Sequence, residues 1–560
     1  MVLALLFLSQ VGSDLIGNAP MRVSPGNIAS GEGMARGGRI TVRQRGENAY
    51  SAELKTPPFA LALGKGDLIY VRFDIRSPSS KNESGLGVWN VAMQRGKAPY
   101  DGWGYGSGSV GRQWKTFHYA YRTDKEYPAG ETELTLHVGL AEQELEVRNL
   151  QAMNLGPNAK ETDIPANTFT YAGREASAPW RAKADAMIRA NRMAPIRVVV
   201  TENGKPKANQ PVHVQMRRHS YPFGTFIEYH VFDQKSRADS EKFLAIVNNR
   251  RFSRVTVPIY WSDWGWETNR QGYLDTIRWC AERGIRMKAH NILWPSEKYW
   301  PKRLNGLDDN QLRTAIFSAM DERLTTLKPW QFENIDVLNE LKTEKTVENR
   351  LGFDALTETF RRTRLAFPKA DLVYNDFAVF EGNDGGGKSF EEASRITKKL
   401  LSAGAPVTLS GWQAHFGEDA TSPERVWALI DRWKQETGLP LEITEYDLNS
   451  RDETIKADYL RDLLTAWFAH PNTRGFTMWG FWEGSHWLPA SAIYAKDWTP
   501  RPAVKVWDDL VTKKWWTDQT LKTNAKGEVE LRGFLGDYTI TSGAKKKAVT
   551  VVRGGTTVRM

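Results

Sequence analysis

From Phe223 onward, the sequence alternates between short apolar runs and amphipathic stretches of helical length, and this alternation limits the fold more than any other feature. Regular alternation of this kind is typical of an α/β fold, in which helices cover a parallel sheet. Eight apolar runs can be counted, and eight such units predict a closed (β/α)8 TIM barrel over residues 221–515. The runs are FGTFI, RVTVPIYW, IRMKAHNILW, NIDVLNE, DLVYND, LSGWQAHF, LEITEYD and GFTMWGFW.

The polar residues that end these runs indicate where chemistry takes place, because the strand ends of a barrel collect at one mouth. Glu340 ends the fourth run and Glu445 the seventh, on opposite sides of the barrel. Two carboxyl groups on facing strands suit cleavage of a sugar bond, in which one protonates the leaving oxygen and the other attacks or stabilises the anomeric carbon. Either glutamate alone could instead form an ion pair. The strand ends carry His290, Glu340, Asn375, Asp376, His415, Glu445 and Trp479.

Two β-rich segments flank the predicted barrel. Residues 20–157 contain short strands broken by Gly, Pro and Ser without helical periodicity, which predicts a β-sandwich of jelly-roll type. Residues 158–220 predict a connector made of a helix and a β-hairpin, and residues 516–560 predict a small C-terminal β-domain. Several aromatic residues of the sandwich either form a platform for sugars or pack inside the domain: Trp89, Tyr100, Trp103 and Tyr105.

Composition narrows the class of function. The 22 Trp residues suit stacking on the faces of sugars as well as core packing. The formal charge is +10, but Lys and Arg are scattered beside Asp and Glu, which is typical of a solvated surface and predicts no nucleic-acid partner. No apolar run is long enough to cross a bilayer. Residues 1–19 resemble an incomplete signal peptide, which predicts a secreted or periplasmic protein, although a buried strand remains the alternative.

The sequence predicts a protein without a cofactor. Its single cysteine, Cys280, lies on the apolar face of a predicted helix and is expected in the core. No metal motif, no phosphate-binding glycine loop after a strand and no Ser-His-Asp pattern stands out. We therefore expect no metal, no cofactor, and a monomer whose partner is a polysaccharide.

Five segments resemble the strand-end motifs of glycoside hydrolase family 10, the xylanase family: DVLNE, YNDF, GWQAHF, ITEYDL and MWGFWEGSHW. The resemblance covers roughly Pro179 to Leu510, and the preceding connector is similar to that of members with an N-terminal binding module. It implies a retaining mechanism with Glu340 as acid/base, Glu445 as nucleophile and His415 as the partner of the nucleophile. Around the cleaved sugar it implies Asn339, His290, Trp294, Gln413, Trp479 and Trp487, to which we add Asn375 at its strand end.

The second strand departs from this family. Members carry Glu-Asn and, shortly afterwards, Lys-Trp at its end, where this chain has Pro258-Ile259 and Ser262-Asp263. Pro295 also replaces the second histidine of the strand-three motif. We therefore expect an apolar, aromatic glycone side, on which stacking replaces hydrogen bonds, unless these aromatics pack between the strand and its helix. The residues concerned are Tyr260, Trp261, Trp264 and Trp266.

The leading hypothesis is a secreted retaining β-glycoside hydrolase, endo-β-1,4-xylanase-like with altered glycone subsites, acting on a plant or algal polysaccharide. One alternative is a retaining β-glycanase on a substrate other than xylan. Others are a non-catalytic carbohydrate-binding or inhibitory protein on the same barrel, and an adhesive surface protein. The presence of both Glu340 and Glu445 argues against a protein that only binds.

Overall fold

The computed structural model describes residues 12–82, 86–227, 237–248, 251–382 and 385–560. Its centre is a closed barrel of eight parallel strands, in which the eighth pairs with the first and places Phe476 opposite Phe223. The predicted TIM barrel is confirmed. The strands are β1 (Phe223–Phe226), β2 (Arg254–Pro258), β3 (Arg286–Leu293), β4 (Asn334–Asn339), β5 (Asp371–Asp376), β6 (Leu409–Trp412, continued by His415–Phe416), β7 (Leu441–Leu448) and β8 (Thr473–Met478).

Helices surround the barrel, and their ends follow local sequence signals. The helix Pro423–Thr437 begins after Ser422, whose hydroxyl accepts a hydrogen bond from the Arg425 N–H, and it ends at Gly438 in the left-handed conformation. None of the helices in the described ranges is long and apolar enough to span a membrane. The other barrel helices are Arg237–Val247, Trp266–Glu282, Asp309–Leu327, Thr346–Leu351, Phe353–Ala366, Lys388–Ser402, Glu453–Ala469 and Pro502–Trp507, the last continued by the π-helix Asp508–Lys514. Short 3-10 turns occur at Ala49–Ser51, Glu161–Asp163, Lys302–Leu304 and Pro489–Ser491.

Two antiparallel sheets form the predicted N-terminal β-sandwich, with a hydrophobic core of their own that includes Phe73, Trp89 and Leu134. The six-stranded sheet has the spatial order Ala29–Met34, Gly37–Val42, Gln143–Asn154, Leu68–Ser80 and Lys115–Arg122, with Ser13–Asp14 also paired to Gln143–Asn154. The five-stranded sheet has the order Arg22–Ser24, Glu53–Lys55, Thr132–His137, Gly87–Arg95 and Gly102–Val110.

The sandwich begins earlier in the chain than predicted. Ser13 and Asp14 pair with the last long strand of the sandwich, and the apolar residues Leu15 and Ile16 that follow are buried in its core. The boundary therefore moves from residue 20 to about residue 13, because these side chains gain more from burial than from solvent. The rest of the predicted signal segment, residues 1–11, lies outside the described residues.

The predicted connector and the predicted C-terminal β-domain are parts of one small sandwich. After the helix Trp180–Arg192, strand Met193–Val199 pairs with Glu528–Phe534 and with Thr556–Arg559. Local patterns revealed each strand but not these pairings, which join residues more than 300 positions apart. The second sheet has the order Asp518–Lys522, Pro211–His219, Gly536–Ser542 and Lys545–Val551, and the predicted two-residue turn Asn203-Gly204 joins Thr201–Glu202 to Lys205–Pro206.

The N-terminal sandwich packs beside the mouth of the barrel. The side-chain amide of Asn167, which also donates to the His118 carbonyl in a strand of the sandwich, donates a hydrogen bond of 2.6 Å to Glu418, in the loop after β6. Lys388, at the start of the helix after β5, forms an ion pair of 2.8 Å with Glu47 of the sandwich. Both barrel residues follow the carboxyl ends of strands, so the sandwich lies at the end of the barrel where a TIM barrel carries its site.

Candidate active site

Glu340 lies just after β4, at the mouth, with a positive φ of 59°. The indole N–H of Trp294 donates to its Oε2 at 3.0 Å, and the Gln413 amide donates to its Oε1 at 3.0 Å. Burial raises the pKa of the Glu340 carboxyl to about 7, with help from the negative charges of Glu445 and Asp376 and against the Gln413 hydrogen bond. This glutamate is therefore protonated in weakly acidic solution, as a proton donor requires.

Glu445 projects from β7 and is buried. The Asn375 amide donates to its Oε1 at 2.7 Å, while His415 Nε2 lies 3.3 Å from its Oε2. The hydroxyl of Thr444 donates to Asn375 Oδ1 at 2.7 Å, which fixes the amide so that its N–H points at the carboxylate. Each oxygen of Glu445 thus has a neighbour that can donate a hydrogen bond, and the carboxylate is held in one orientation.

His415 lies between two carboxylates. Its Nδ1 is 3.0 Å from Asp447 Oδ2, and its Nε2 faces Glu445. Burial opposes a charge on the ring, but Asp447 and Glu445 outweigh it and raise the pKa of His415 well above the usual range. The ring is therefore protonated, with Nε2 facing Glu445 and Nδ1 in ionic contact with Asp447. Asp447 also accepts a hydrogen bond of 2.8 Å from the indole N–H of Trp487.

A bridge of amides joins the two glutamates across the mouth. Asn339 Oδ1 accepts a hydrogen bond of 2.9 Å from Asn375, which also contacts Glu445. Gln413 Nε2 lies 3.4 Å from the same oxygen and donates to Glu340. Three buried amides from β4, β5 and the link after β6 therefore fix the two carboxyl groups relative to each other.

His290 lies beneath Glu445 and is buried at the end of a chain of charged groups. Its Nδ1 is 2.8 Å from Asp336 Oδ2 and 3.9 Å from Glu445 Oε1. Asp336 contacts Lys288 Nζ at 2.8 Å, and Lys288 lies 3.9 Å from Glu442, which pairs with Arg254. Burial alone would raise the pKa of Asp336, but Lys288 and His290 hold it below its usual value.

Lys288 of this chain and Asp447 beside His415 were not predicted, although alternate spacing offered a signal for each. Lys288 stands two residues before His290 on β3, and Asp447 stands two residues after Glu445 on β7. Residues two apart on a strand share a face, so each points to the same side as a residue that was predicted. The partner of each could not be read from the chain, because it comes from another strand.

Aromatic rings line the side of the mouth near β2 and β3. Trp294 stacks on Tyr299 with ring centroids 3.6 Å apart. Tyr260 lies between Trp264, at 5.0 Å, and the edge of His290, at 5.2 Å. Trp479, at the end of β8, packs edge-on against His290 on the opposite side. The predicted residues His290, Trp294 and Trp479 are thus linked by ring contacts, the first two through Tyr260.

Trp261 does not lie in the mouth, which corrects the prediction that it contacts substrate. Its side chain is 6% exposed, its indole N–H donates to Glu267 at 3.0 Å, and the Arg323 guanidinium lies over its ring. Trp266 is buried as well. β2 ends at Pro258, so the loop and the helix that follow it set these directions, and only Tyr260 and Trp264 of the predicted aromatic set face the mouth.

The residues that stand in place of the family's polar groups after β2 are buried away from the mouth or hydrogen-bonded within the turn. Pro258 and Ile259 are buried, and the Ser262 hydroxyl accepts a hydrogen bond of 2.8 Å from Gly265 N–H inside the turn.

Across the part of the chain that the structure describes, no group of three acidic, histidine or cysteine side chains could hold a metal ion.

The barrel resembles known proteins in sequence. The profile of glycosyl hydrolase family 10 matches residues 261–509. The anti-sigma-I factor RsgI6 of Acetivibrio thermocellus is 28% identical over 391 residues, which are 68% of this chain and 49% of that protein. Endo-1,4-beta-xylanase 2 of Arabidopsis thaliana is 29% identical over 341 residues, 59% of this chain and 30% of that protein. The chain thus spans half or less of the length of these relatives.

Among solved structures, xylanase 10B from Thermotoga petrophila in complex with xylobiose is similar, with a TM-score of 0.45 and 20% identity over 53% of this chain and 95% of that one. The family profile covers the mouth from the end of β2 to beyond β8, and includes Glu340, Glu445 and the amides that join them. The segment 261–509, which forms most of the barrel, is similar to glycosyl hydrolase family 10.

Proposed function

We propose that this protein is a retaining, endo-acting β-glycanase, in which Glu340 is the acid/base and Glu445 the nucleophile. The observation that carries the proposal is the contrast between the two carboxyls. Glu340 has a pKa raised to about 7, whereas Glu445 is surrounded by donors from Asn375 and His415. One environment favours a protonated acid and the other an oriented carboxylate, which are the two roles that glycosidic cleavage needs.

In the first step, the Glu445 carboxylate attacks the anomeric carbon while Glu340 gives its proton to the leaving oxygen. In the second step, Glu340 removes a proton from water, and that water attacks the same carbon and releases Glu445. His415 and Asn375 hold Glu445 in line for attack, and they receive it again as the covalent bond breaks. Asn339, with its carbonyl oxygen engaged in the amide bridge, is placed to bind a hydroxyl of the sugar that is cleaved.

The substrate class we propose is a xylan-type β-glycan, since curated relatives include endo-1,4-beta-xylanases. The aromatic side of the mouth supports a finer statement. Pro258, Ile259 and Ser262 stand where charged and amide groups were expected. The rings of Tyr260 and Trp264 lie beside them, so stacking dominates over hydrogen bonding on the glycone side. Hydrogen bonds discriminate strongly between hydroxyl patterns, and stacking does not. We therefore propose a decorated or differently linked β-glycan as a better substrate than plain linear xylan, encountered outside the cytoplasm.

The test compares Glu340→Gln with Glu445→Gln on a panel of β-glycans and on an aryl glycoside with a good leaving group. We expect Glu340→Gln to cleave the aryl glycoside and to be rescued by azide, because that leaving group needs no proton and azide needs no base. Glu445→Gln should form no glycosyl-enzyme and gain nothing from azide. Near-normal activity in either variant would refute its assigned role. Binding to glycans without any turnover by the unmodified protein would select the binding-only alternative.

A further inference from the structure

Two alanines at the mouth of the barrel adopt the left-handed backbone conformation that residues other than glycine rarely adopt. Ala378, in the loop after β5, has a φ of 50°, and Ala414, in the β6 link (residues 413–415), has a φ of 72°. A side chain makes this conformation costly, so it persists only where the surrounding structure enforces it. Because Ala414 stands between Gln413 and His415, whatever enforces its conformation also shapes the site.

The carboxylate of Glu381 contacts both alanines. Its Oε1 accepts a hydrogen bond of 3.0 Å from the Ala378 N–H and one of 2.9 Å from the Ala414 N–H. Its Oε2 accepts a third hydrogen bond, of 2.7 Å, from the N–H of Phe380. Three backbone donors hold the carboxylate in one orientation, and hydrogen bonds to an ionised group are stronger than neutral ones. Glu381 therefore ties the loop after β5 to the β6 link.

The segment that carries Glu381 is itself anchored, through its neighbour Phe380. The Phe380 ring stacks on Trp412 with centroids 5.0 Å apart, and it packs edge-on against Phe416 at 5.5 Å. All three rings are buried. Trp412 immediately precedes the β6 link and Phe416 immediately follows it, so the link is clamped at both ends while Glu381 holds its middle.

The β6 link supplies a contact to each of the two glutamates. Gln413 donates to Glu340 at 3.0 Å, and His415 Nε2 lies 3.3 Å from Glu445. The backbone of the link is also joined to β7, because the Gln413 carbonyl accepts a hydrogen bond of 3.0 Å from the Glu445 N–H. A change of φ at Ala414 would turn the two side chains relative to each other and draw at least one of them off its glutamate.

We propose that Glu381 is a positioning residue for cleavage of the glycosidic bond. By accepting the Ala414 N–H, it holds the β6 link in the conformation that points Gln413 and His415 at the two glutamates. Both of its oxygens are engaged by backbone N–H groups, so Glu381 acts through the link and not on the substrate. The inference rests on the proposed function for the roles of the two glutamates.

The kinetic test compares kcat and KM on a polymeric β-glycan for the unmodified protein, Glu381→Ala and Glu436→Ala. We expect Glu381→Ala to lower kcat by about 10- to 100-fold with little change in KM, since small errors of position at reacting groups have effects of this size. Glu436 is the matched control: it is partly buried and accepts hydrogen bonds from Ser394 and Arg432. It lies near the end of the helix Pro423–Thr437, opposite the mouth, and its loss should leave both constants unchanged.

The pH profile separates positioning from a general loss of stability. Burial raises the pKa of Glu340, and the Gln413 hydrogen bond opposes this rise. If the link slackens in Glu381→Ala, that hydrogen bond is lost, and the midpoint of the alkaline limb of kcat/KM should move to higher pH. A general loss of stability would leave the midpoint in place. Glu381→Gln keeps the size and one acceptor oxygen, so it should change kcat and the midpoint in the same directions by less.

A readout without turnover uses the free energy of unfolding at about pH 4 and pH 9. It is measured with and without Glu381→Ala, each with Glu340 intact and with Glu340→Gln. Stability from the raised pKa of Glu340 is present below its unfolded pKa and is lost as the pH rises through its folded pKa. A higher folded pKa enlarges that loss, so Glu381→Ala should enlarge it only where Glu340 is intact. The titration of Glu381 itself, whose pKa burial raises, is common to both backgrounds and cancels.

Unchanged kcat in Glu381→Ala, an equal loss in Glu436→Ala, or a lower kcat with an unmoved midpoint would overturn the inference. If Glu381→Ala does not fold, the same measurements on Glu381→Gln decide. No turnover of any β-glycan by the unmodified protein would refute the proposed function, and the unfolding experiment would then decide the role of Glu381. A larger pH-dependent loss with Glu340 intact would uphold that role, and equal losses in the two backgrounds would overturn it.

Discussion

The two sides of the barrel mouth follow different designs. On the side of β4 to β7, Gln413 donates to Glu340, Asn375 and His415 contact Glu445, and a bridge of hydrogen bonds fixes the separation of the two carboxyl groups. On the side of β2 and β3, the rings of Tyr260, Trp264 and Trp294 face the opening. The first side holds the two carboxyl groups in one geometry, whereas the second presents exposed aromatic surface to a ligand.

This difference predicts on which side of the mouth substitutions are least tolerated. Electrostatic stabilisation by oriented groups depends on exact placement in a dry site, and losing one donor commonly costs several kcal/mol. Stacking on an open ring contributes on the order of 1 kcal/mol and tolerates different ligands. Substitutions on the two sides should therefore differ in size and in which kinetic constant they change, which the following predictions test.

The largest effect is expected at Asn375, the amide that contacts both Asn339 and Glu445. Asn375→Ala should lower kcat/KM by about 10²–10³, because it removes a donor to the nucleophile and breaks the bridge. Thr444→Val is the matched comparison, since it deletes only the hydroxyl that orients Asn375 and should cost about tenfold. Steady-state kinetics on one polymer give kcat/KM for both variants. Equal losses in the two would contradict this account of the bridge.

Glu340 should also limit stability at alkaline pH. Its folded pKa, about 7, exceeds the reference of 4.5, so the folded state binds its proton more tightly than the unfolded state does. Stability from this group is complete below pH 4.5 and is lost as the pH rises through 7. When the pH is raised from 4 to 8, the free energy of unfolding of Glu340→Gln should thus increase relative to that of the unmodified protein by on the order of 2 kcal/mol. Denaturant unfolding at both pH values measures this, with exposed Glu297→Gln as the control.

The pH dependence of turnover should also report the ionisation of the Glu340 carboxyl. Glu340 must be protonated to act as an acid, so kcat/KM on polymer should fall about tenfold per pH unit above a midpoint near 7. An aryl glycoside with a good leaving group should lose less, because its departure needs less protonation. If the alkaline limb persisted in Glu340→Gln with the aryl glycoside, another group would be responsible for it.

The difference between the two sides also explains how much the sequence predicted. Strand ends can be read from the sequence because apolar runs stop at polar residues, which placed Glu340, Glu445 and His415 at the mouth. Gln413 came from the family resemblance. The direction of a side chain beyond a strand end is harder to predict, because the loop sets it. Trp261, three residues after the end of β2, was misplaced for this reason. Partnerships between distant segments, such as Lys288 with Asp336 or Met193–Val199 with Glu528–Phe534, need the fold itself.

The smallest effect is expected on the aromatic side, where Trp264 and Trp261 stand three residues apart and face opposite ways. Trp264 is 48% exposed beside Tyr260, so Trp264→Ala should raise KM on glycans by about three- to tenfold and leave kcat nearly unchanged, as loss of uniform binding does. Trp261 donates to Glu267 and packs under Arg323, so Trp261→Phe should lower the free energy of unfolding without changing KM. Michaelis constants and unfolding midpoints for both variants separate the two roles. A raised KM in Trp261→Phe, or an unchanged KM in Trp264→Ala, would mean that the glycone side does not bind sugar by stacking on the exposed ring.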